Sequence, residues 1–212
     1  MFARVLAVLA FAFFAVATMR FALADTPASD PAAKPVEAFH AALLDVMKRG
    51  RELGIQGRYR ALQPTVEATF NLPLMTQFVV GPTWSSMSDA DHNALIEAFR
   101  RMTIANYASN FDSFNGQKFT MDASVLQKGN DKFVQTALVP NGDKPVLLIY
   151  RMRDTGNGWK IIDVLLEGFA SELATRRSDF STTIASGGAQ ALVKKMNELS
   201  DNLLSGSKKG TP

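Results

Sequence analysis

Residues Trp159 to Phe180 read WKIIDVLLEGFASELATRRSDF, a strand running into a helix, and the fold turns on the first half of that run. A strand of an antiparallel sheet with one wet face alternates apolar and polar residues. Here Ile161, Ile162, Val164, Leu165 and Leu166 leave only Lys160 and Asp163 as polar positions. Both faces of the strand therefore call for cover.

Working outward, the preceding segments read as partners of this strand. Lys132–Val139 and Pro145–Arg153 are strand-like, joined by an Asn141-Gly142 turn signal, and Asp154–Gly158 turns the chain into Trp159. Gly116 opens a first strand in which Phe119, Met121, Ala123 and Val125 alternate with polar residues. Short turns imply a four-stranded antiparallel meander. A five-residue last turn would set Tyr150 opposite Ile162, Leu148 opposite Val164 and Val146 opposite Leu166, while the Asn-Gly turn sets Leu138 opposite Val146 and Val134 opposite Tyr150. One continuous apolar face results. The other carries Leu147, Ile149, Arg151, Trp159, Ile161, Asp163 and Leu165, with Arg151 placed to pair diagonally with Asp163.

Helices supply the cover. Val36, Phe39, Leu43, Val46 and Met47 recur at helical spacing up to Gly50. The stretch through Pro64 and Phe70 reads as short helices broken by prolines, and Asn71-Leu-Pro73 opens another that Gly81-Pro82 ends. Ser88 with Asp91 resembles a capping box, Asp replacing Glu, at the start of a long helix reaching about Phe114. That helix has two stripes, Leu95/Phe99/Met102 and Ile104/Tyr107/Phe111, so more than one side is covered. A helix from Phe169 to Ile184, a break at Gly187-Gly188, and a closing helix with Leu192, Met196, Leu199 and Leu203 complete an α+β domain over residues 35–204. Residues 25–34 read as a linker and 205–212 as a tail.

The N-terminus reads as a leader. Arg4 precedes an apolar run from Val5 to Ala17, too short to span a bilayer comfortably, and Ala22-Leu23-Ala24 has the form of a signal-peptidase site with cleavage before Asp25. Residues 1–24 would then be removed and the protein would work in the periplasm. Without Arg4 and Arg20 there are 21 basic against 20 acidic side chains, a net charge of +1, which offers no case for nucleic-acid binding. With no cysteine anywhere, an exported chain relies on its hydrophobic core rather than on disulfides.

Catalytic patterns are missing from the sequence. His40 and His92 stand apart, each read as a helix-surface residue. No cysteine cluster, His-x-x-x-His pair, Gly-x-Ser-x-Gly elbow or phosphate-cradling loop occurs. Asp163 and Glu167 share a strand face but lie roughly 13 Å apart, beyond the ~6.5–9.5 Å used by inverting glycosidases. Asp163 is explained by Arg151, and Glu167 by the strand-to-helix corner. Arg176 has Glu172 four residues before it; Arg177 lies beside the Leu173/Phe180/Ile184 stripe, able either to pack its stem there or to hold a lipid phosphate. The doubly apolar strand itself admits two arrangements: a closed three-layer packing, or a cover that stands off one face and leaves an apolar pocket. Six strand residues run about 20 Å, the length of an extended acyl chain, and burial yields about 0.8 kcal/mol per methylene before association costs.

The run Trp159-Lys-Ile-Ile-Asp-Val-Leu-Leu-Glu-Gly168, the Thr175-Arg176-Arg177 helix, the terminal helix after Gly187, and upstream Gly81-Pro-Thr-Trp84, the Ser88 helix start, Tyr107 and Gly116-Gln-Lys-Phe119 together resemble the MlaC family of periplasmic lipid-binding proteins, also called the toluene-tolerance Ttg2 auxiliary family. GRYRALQPTVEATFNLPLMTQFVVGPTW and LLEGFASELATRRSDF look closest to its hopanoid-associated HpnM branch. The resemblance implies a helical layer and a twisted sheet enclosing lipid tails. It implies a monomeric shuttle between an inner-membrane MCE/ABC-type or RND-type complex and an outer-membrane donor or acceptor, carrying phospholipid or, alternatively, hopanoid, with no cofactor and no reaction. A pocketless transporter adaptor is the reading from a different class. The candidate lipid contacts are Trp84, Ile104, Tyr107 and Phe111 from the helices and Val134, Leu138, Val146, Leu148, Tyr150, Ile162, Val164 and Leu166 from the sheet, with Arg177 toward a head group.

Overall fold

The computed structural model describes residues 30–206. The expected leader and its cleavage point, and residues 207–212 of the expected tail, lie outside the described residues. Five α-helices and six strands follow in the order α1 (Ala33–Lys48), α2 (Gly50–Thr69), α3 (Leu72–Val80), α4 (Asp89–Asn110), β1 (Lys118–Met121), β2 (Leu126–Lys128), β3 (Asp131–Val139), β4 (Val146–Asp154), β5 (Trp159–Leu166), β6 (Ala170–Ser171) and α5 (Glu172–Leu204), with a 3₁₀ turn, Gly81–Ser86, between α3 and α4. The mixed helix-plus-antiparallel-sheet class is as read from the sequence. The sheet has six strands, not four.

Local chemistry explains most of the boundaries. Asn71 caps α3 by accepting from the Leu74 amide at 3.2 Å, and Ser88 caps α4 by accepting from the Asp91 amide at 3.1 Å while donating to its carboxylate at 2.8 Å. The region expected to break at prolines does not: Pro64 sits inside α2. The bend falls at Gly54 instead, whose φ of 55° and ψ of −179° no side-chain-bearing residue adopts cheaply. A second bend, at Gly188 (φ 63°), divides α5 where the Gly187-Gly188 pair led one to expect two helices. Of the two stripes of α4, Leu95, Phe99 and Met102 are buried, whereas of Ile104, Tyr107 and Phe111 only Ile104 is fully buried, and α2, α3 and α5 all pack on the helix.

The strands pair in the order β1-β3-β4-β5-β6, with β2 taking the part of β3 that β1 leaves free. All ladders are antiparallel. What read as one strand from Phe119 to Val125 is two, because the chain leaves the ladder between Met121 and Leu126. β3 and β4 pair as expected, Val134 with Tyr150 and Leu138 with Val146. The β4–β5 register differs from expectation by two residues, one because Asp154 pairs with Trp159 across a four-residue turn and one because of a bulge between Arg151 and Met152: Leu148 faces Leu166, Tyr150 faces Val164, and Met152 faces Ile161, leaving Ile162 as the extra residue. Together they change the reading of the strand. Ile161 joins Val164, Tyr150 and Leu148 on the face packed by helices, where it is fully buried, rather than lying on the opposite face.

Both faces of β5 were expected to need cover, and in the middle of the strand both have it: Ile161, Ile162, Asp163 and Val164 are all buried. On neighbouring β4 the two faces differ. Along β4, Leu148, Tyr150 and Met152 are buried in the helix-packed core, whereas Leu147 is 36% exposed and Ile149 half-buried on the other side. The α2–α3 junction docks directly on β5, with the Asn71 amide donating to the Ile161 carbonyl at 2.9 Å.

Two carboxylates tie the sheet together. Asp131, 4% exposed, accepts from Arg151 Nε at 2.7 Å and from Arg153 Nε and Nη2 at 2.7 and 2.9 Å. Arg151 was expected to hold Asp163; it lies opposite Asp163 but turns to Asp131. The Arg153 hydrogen bonds, and then Arg151, hold the Asp131 carboxyl below its ordinary range. A depressed carboxylate contributes stability that is present above its unfolded pKa near 3.9 and is lost as the pH falls through its folded value. Asp131→Asn should therefore destabilise the protein by about 2 kcal/mol at pH 7, with wild type and variant converging as the pH falls through the lowered pKa of the folded Asp131. Urea midpoints measured across that range check this; an unchanged gap at low pH would contradict it. Asp30 forms the second tie, accepting from Lys132 Nζ at 2.7 Å while Lys132 lies 4.7 Å over the Trp159 ring.

Candidate functional site

The helix-packed face of the sheet is mostly apolar, and its burial changes along its length. At the closed end Ile104 of α4 and Val134 of β3 are fully buried, and Tyr150, Leu148 and Val164 are 2–8% exposed. Toward the other end Leu138, Val146 and Leu166 become half-buried, as do Phe119 of β1 and Tyr107 and Phe111 of α4. Pairing brings these residues together: Phe119 faces Leu138, Leu138 faces Val146, and Leu166 faces Leu148. Rings continue the lining, Phe119 to Phe111 at 6.4 Å, Phe111 to Tyr107 at 6.0 Å, and Tyr107 to Phe39 at 4.8 Å edge to face. The C-terminal end of α4 thus meets the sheet in a partly exposed apolar mouth that grades into the core.

Polar groups within it are few and neutral. The Tyr150 hydroxyl lies 3.0 Å from His40 Nε2, and His40 stacks on Phe119 at 3.9 Å. Burial raises both phenol pKa values, Tyr107 and Tyr150, so neither ionises near neutral pH. Thr136, on the same face, donates to the Leu148 carbonyl at 3.1 Å. Among the described residues no group of three or more His, Asp or Glu could hold a metal. The lining offers dispersion contacts and hydroxyl hydrogen bonding.

Several residues lie where the sequence did not place them. His40 is not on a helix surface; it is 6% exposed, and burial pulls its pKa down to about 4. Val36, Phe39, His40 and Leu43 follow the i, i+3, i+4, i+7 rule, so the signal was there, masked by the residue type. Its consequence can be measured. An unfolded histidine takes up a proton near pH 6.5, so as the pH falls from there toward 4 the unfolded state binds more protons and stability drains away. The loss is about 2–3 kcal/mol by pH 4.5. His40→Gln, able to keep the Tyr150 contact, should lose that much less stability than wild type between pH 7 and 4.5, as read by denaturant midpoints.

Trp84 does not reach the mouth. It stacks on His92 at 4.0 Å, and its carbonyl accepts from His92 Nε2 at 2.9 Å, near the start of α4. Fifteen helical residues, or about 22 Å, separate His92 from Tyr107. Ile162 is buried at the bulge, outside the pairing that aligns Val164 and Leu166. Ile104 and Val134 belong to the packed interior behind the mouth. Arg177 is also elsewhere: its guanidinium lies 5.5 Å over Phe78 and against Gly81. Asp163 serves the fold as a local cap, accepting from Ser171 Oγ at 2.6 Å, the Val164 amide at 2.8 Å and the Leu173 amide at 3.3 Å. Glu167 marks the strand-to-helix corner with φ of 51°.

Phe119, Phe39 and Thr136 are lining residues that the sequence did not single out. Phe119 could have been found, since it alternates with Met121 and precedes a strand whose partner register was readable. Phe39 was seen only as core, and Thr136 is a polar residue on an apolar face, which alternation alone misassigns.

The described residues thus form an antiparallel sheet with a helical layer on one face and a half-buried apolar region at one end of that face. The MlaC family model matches residues 37–198, and the chain belongs to the MlaC family. Among solved structures it is similar to the phospholipid-binding protein from Ralstonia solanacearum, determined in complex with a phospholipid, at 22% identity and a TM-score of 0.70 over 81% of this chain and 98% of that one. That likeness carries the fold. No curated protein matches the chain.

Proposed function

We propose that the protein is a periplasmic lipid carrier without catalytic activity, holding a phospholipid with its acyl chains along the face bearing Leu148, Tyr150, Val164 and Leu166 and its head group at the mouth. The observation that carries this reading is the passage, along one sheet face and the α4 end packed on it, from fully buried Val134 and Ile161 to half-buried Leu138, Val146, Tyr107 and Phe111. A sealed three-layer core would keep that end closed. Family membership supports the reading, and the Ralstonia solanacearum protein of the same fold binds a phospholipid. In this role the N-terminal leader directs export, and the protein passes its cargo between an inner-membrane MCE/ABC-type complex and an outer-membrane acceptor or donor. The HpnM-like wording of residues 57–84 and 165–180 favours a second cargo on the same scaffold, a hopanoid handed over by an RND-type transporter.

Lipid extraction of the purified mature protein, followed by mass spectrometry, tests the proposal. Near-stoichiometric phospholipid is the expected result. Hopanoid in its place selects the second cargo, and protein free of any lipid after mild purification would favour a pocketless adaptor.

A further inference from the structure

The Gly81-Pro-Thr-Trp84 segment takes no part in the apolar mouth, yet it builds a second feature. Leu74, Gln77 and Phe78 of α3, Gly81 and Pro82 of the 3₁₀ turn, and Arg177 of α5 line a surface groove of about 360 Å³. Its walls are mainly apolar, and Phe78 within it is 44% exposed.

Arg177 is held in this groove in an unusual manner. Its guanidinium lies 5.5 Å over the Phe78 ring, and it comes so close to Gly81 that a Cβ there would lie within 3.0 Å of Nη2, 3.1 Å of Cζ and 3.2 Å of Nε. Gly81 also has φ of 77°, so glycine serves both the backbone and the contact. Stacking, not an acid, thus orients the planar cation. Among the described residues Arg177 makes no ion pair, whereas neighbouring Arg176 lies 3.7 Å from Asp179. A guanidinium placed against a ring and a glycine backbone, with no acid paired to it, retains N–H groups for a planar, bidentate acceptor.

We infer that this groove is a docking site for a partner protein's peptide segment in which a carboxylate lies next to an apolar side chain. The carboxylate meets the Arg177 edge, and the apolar side chain fills the space between Leu74, Phe78 and Pro82. Charge complementarity selects an acidic segment, and the apolar walls select it over a bare anion. The groove is lined by none of Tyr107, Phe111 and Leu138.

A displayed library of random dodecapeptides, selected on the mature protein and counter-selected on Arg177→Gln, tests this. Enriched peptides should carry Asp or Glu beside Phe, Leu, Ile or Trp. A synthetic peptide from the enriched set should bind at least tenfold more weakly to Arg177→Gln and to Phe78→Ala, while Arg176→Gln leaves its affinity unchanged. Changing the peptide's acid to its amide should have a similar effect. Melting temperature and bound lipid should stay at wild-type levels in Arg177→Gln, because the residue is exposed and outside the mouth. No enrichment dependent on Arg177, or displacement of the peptide by a few millimolar inorganic phosphate, would overturn the inference, the latter by showing a simple anion site. Loss of bound lipid in Arg177→Gln would also overturn it, by making the groove part of the cargo site, and would leave the carrier function itself intact.

Discussion

Ile161→Lys is expected to abolish the native state, whereas Val146→Lys on the neighbouring strand should fold and lose its lipid. Ile161 has no exposed surface, faces equally buried Met152, and gives its carbonyl to the Asn71 amide where the α2–α3 junction meets the sheet. A lysine there buries an ammonium with no acid facing it, at a cost of several kcal/mol against a total stability of about 5–15 kcal/mol. Val146 is half-buried at the mouth, where a lysine stem can lie along the lining with its charge in water. Circular dichroism melting and lipid extraction of the two variants separate these outcomes. A wild-type melting temperature for Ile161→Lys would refute the placement of that residue; lipid retained by Val146→Lys would refute the mouth.

The second large effect is expected at Arg58. This side chain is 8% exposed within α2 and has no carboxylate partner among the described residues; its Nε donates to the Ala108 carbonyl at 2.8 Å and its Nη1 to the Gly50 carbonyl at 2.9 Å. It therefore clamps the last turns of α4 to the α1–α2 corner and satisfies a carbonyl that the helix end would otherwise leave unpaired. Hydrogen bonds to a charged group contribute about 1.5–3 kcal/mol each. Arg58→Met should thus lower stability by about 3 kcal/mol or more, a fall of roughly 10 °C in melting temperature for a domain of this size. Arg58→Lys should recover only part, since an ammonium cannot reproduce the fork that spans both carbonyls. Because Tyr107 and Phe111 sit on the clamped segment, amide exchange there should quicken in Arg58→Met and lipid affinity should fall with it. Unaltered exchange at α4 alongside a large stability loss would confine Arg58 to the core.

Much of this was legible in the sequence because the decisive signals are local. Asn71 and Ser88 announce their helices through capping chemistry that spans three residues, and the Asn141-Gly142 turn fixes the β3–β4 register. The Ile104/Tyr107/Phe111 stripe, distinct from Leu95/Phe99/Met102, foretold a helix packed on several sides. What escaped was non-local. The bulge at Ile161-Ile162 obeys no turn rule; it lets Ile161 reach the core while Val164 keeps its face. β6 has only two residues, too few for a periodic signal. Arg58 and His40 were passed over because a charged or titratable residue reads as surface until its partners, Ala108 and Tyr150, are known. Trp84 was drawn into the site by family order along the chain, which carries no distance.

The contacts that close α1 also set an order of events for a growing or translocating chain. His40 completes its packing only with Tyr150, 110 residues later, and Phe39 with Tyr107 and Tyr150; even Asp30, before the helix begins, waits for Lys132. β3, β4 and β5, in contrast, pair with their immediate neighbours across short turns. Contacts of such wide sequence separation form late and slowly. α2, the next element, can cover part of α1 early, but the Phe39–His40 end of the apolar stripe emerges first and is completed only when the sheet arrives, and with no cysteine in the chain no disulfide can hold an intermediate meanwhile. The same stripe is the segment that a holding chaperone would have most time to grip.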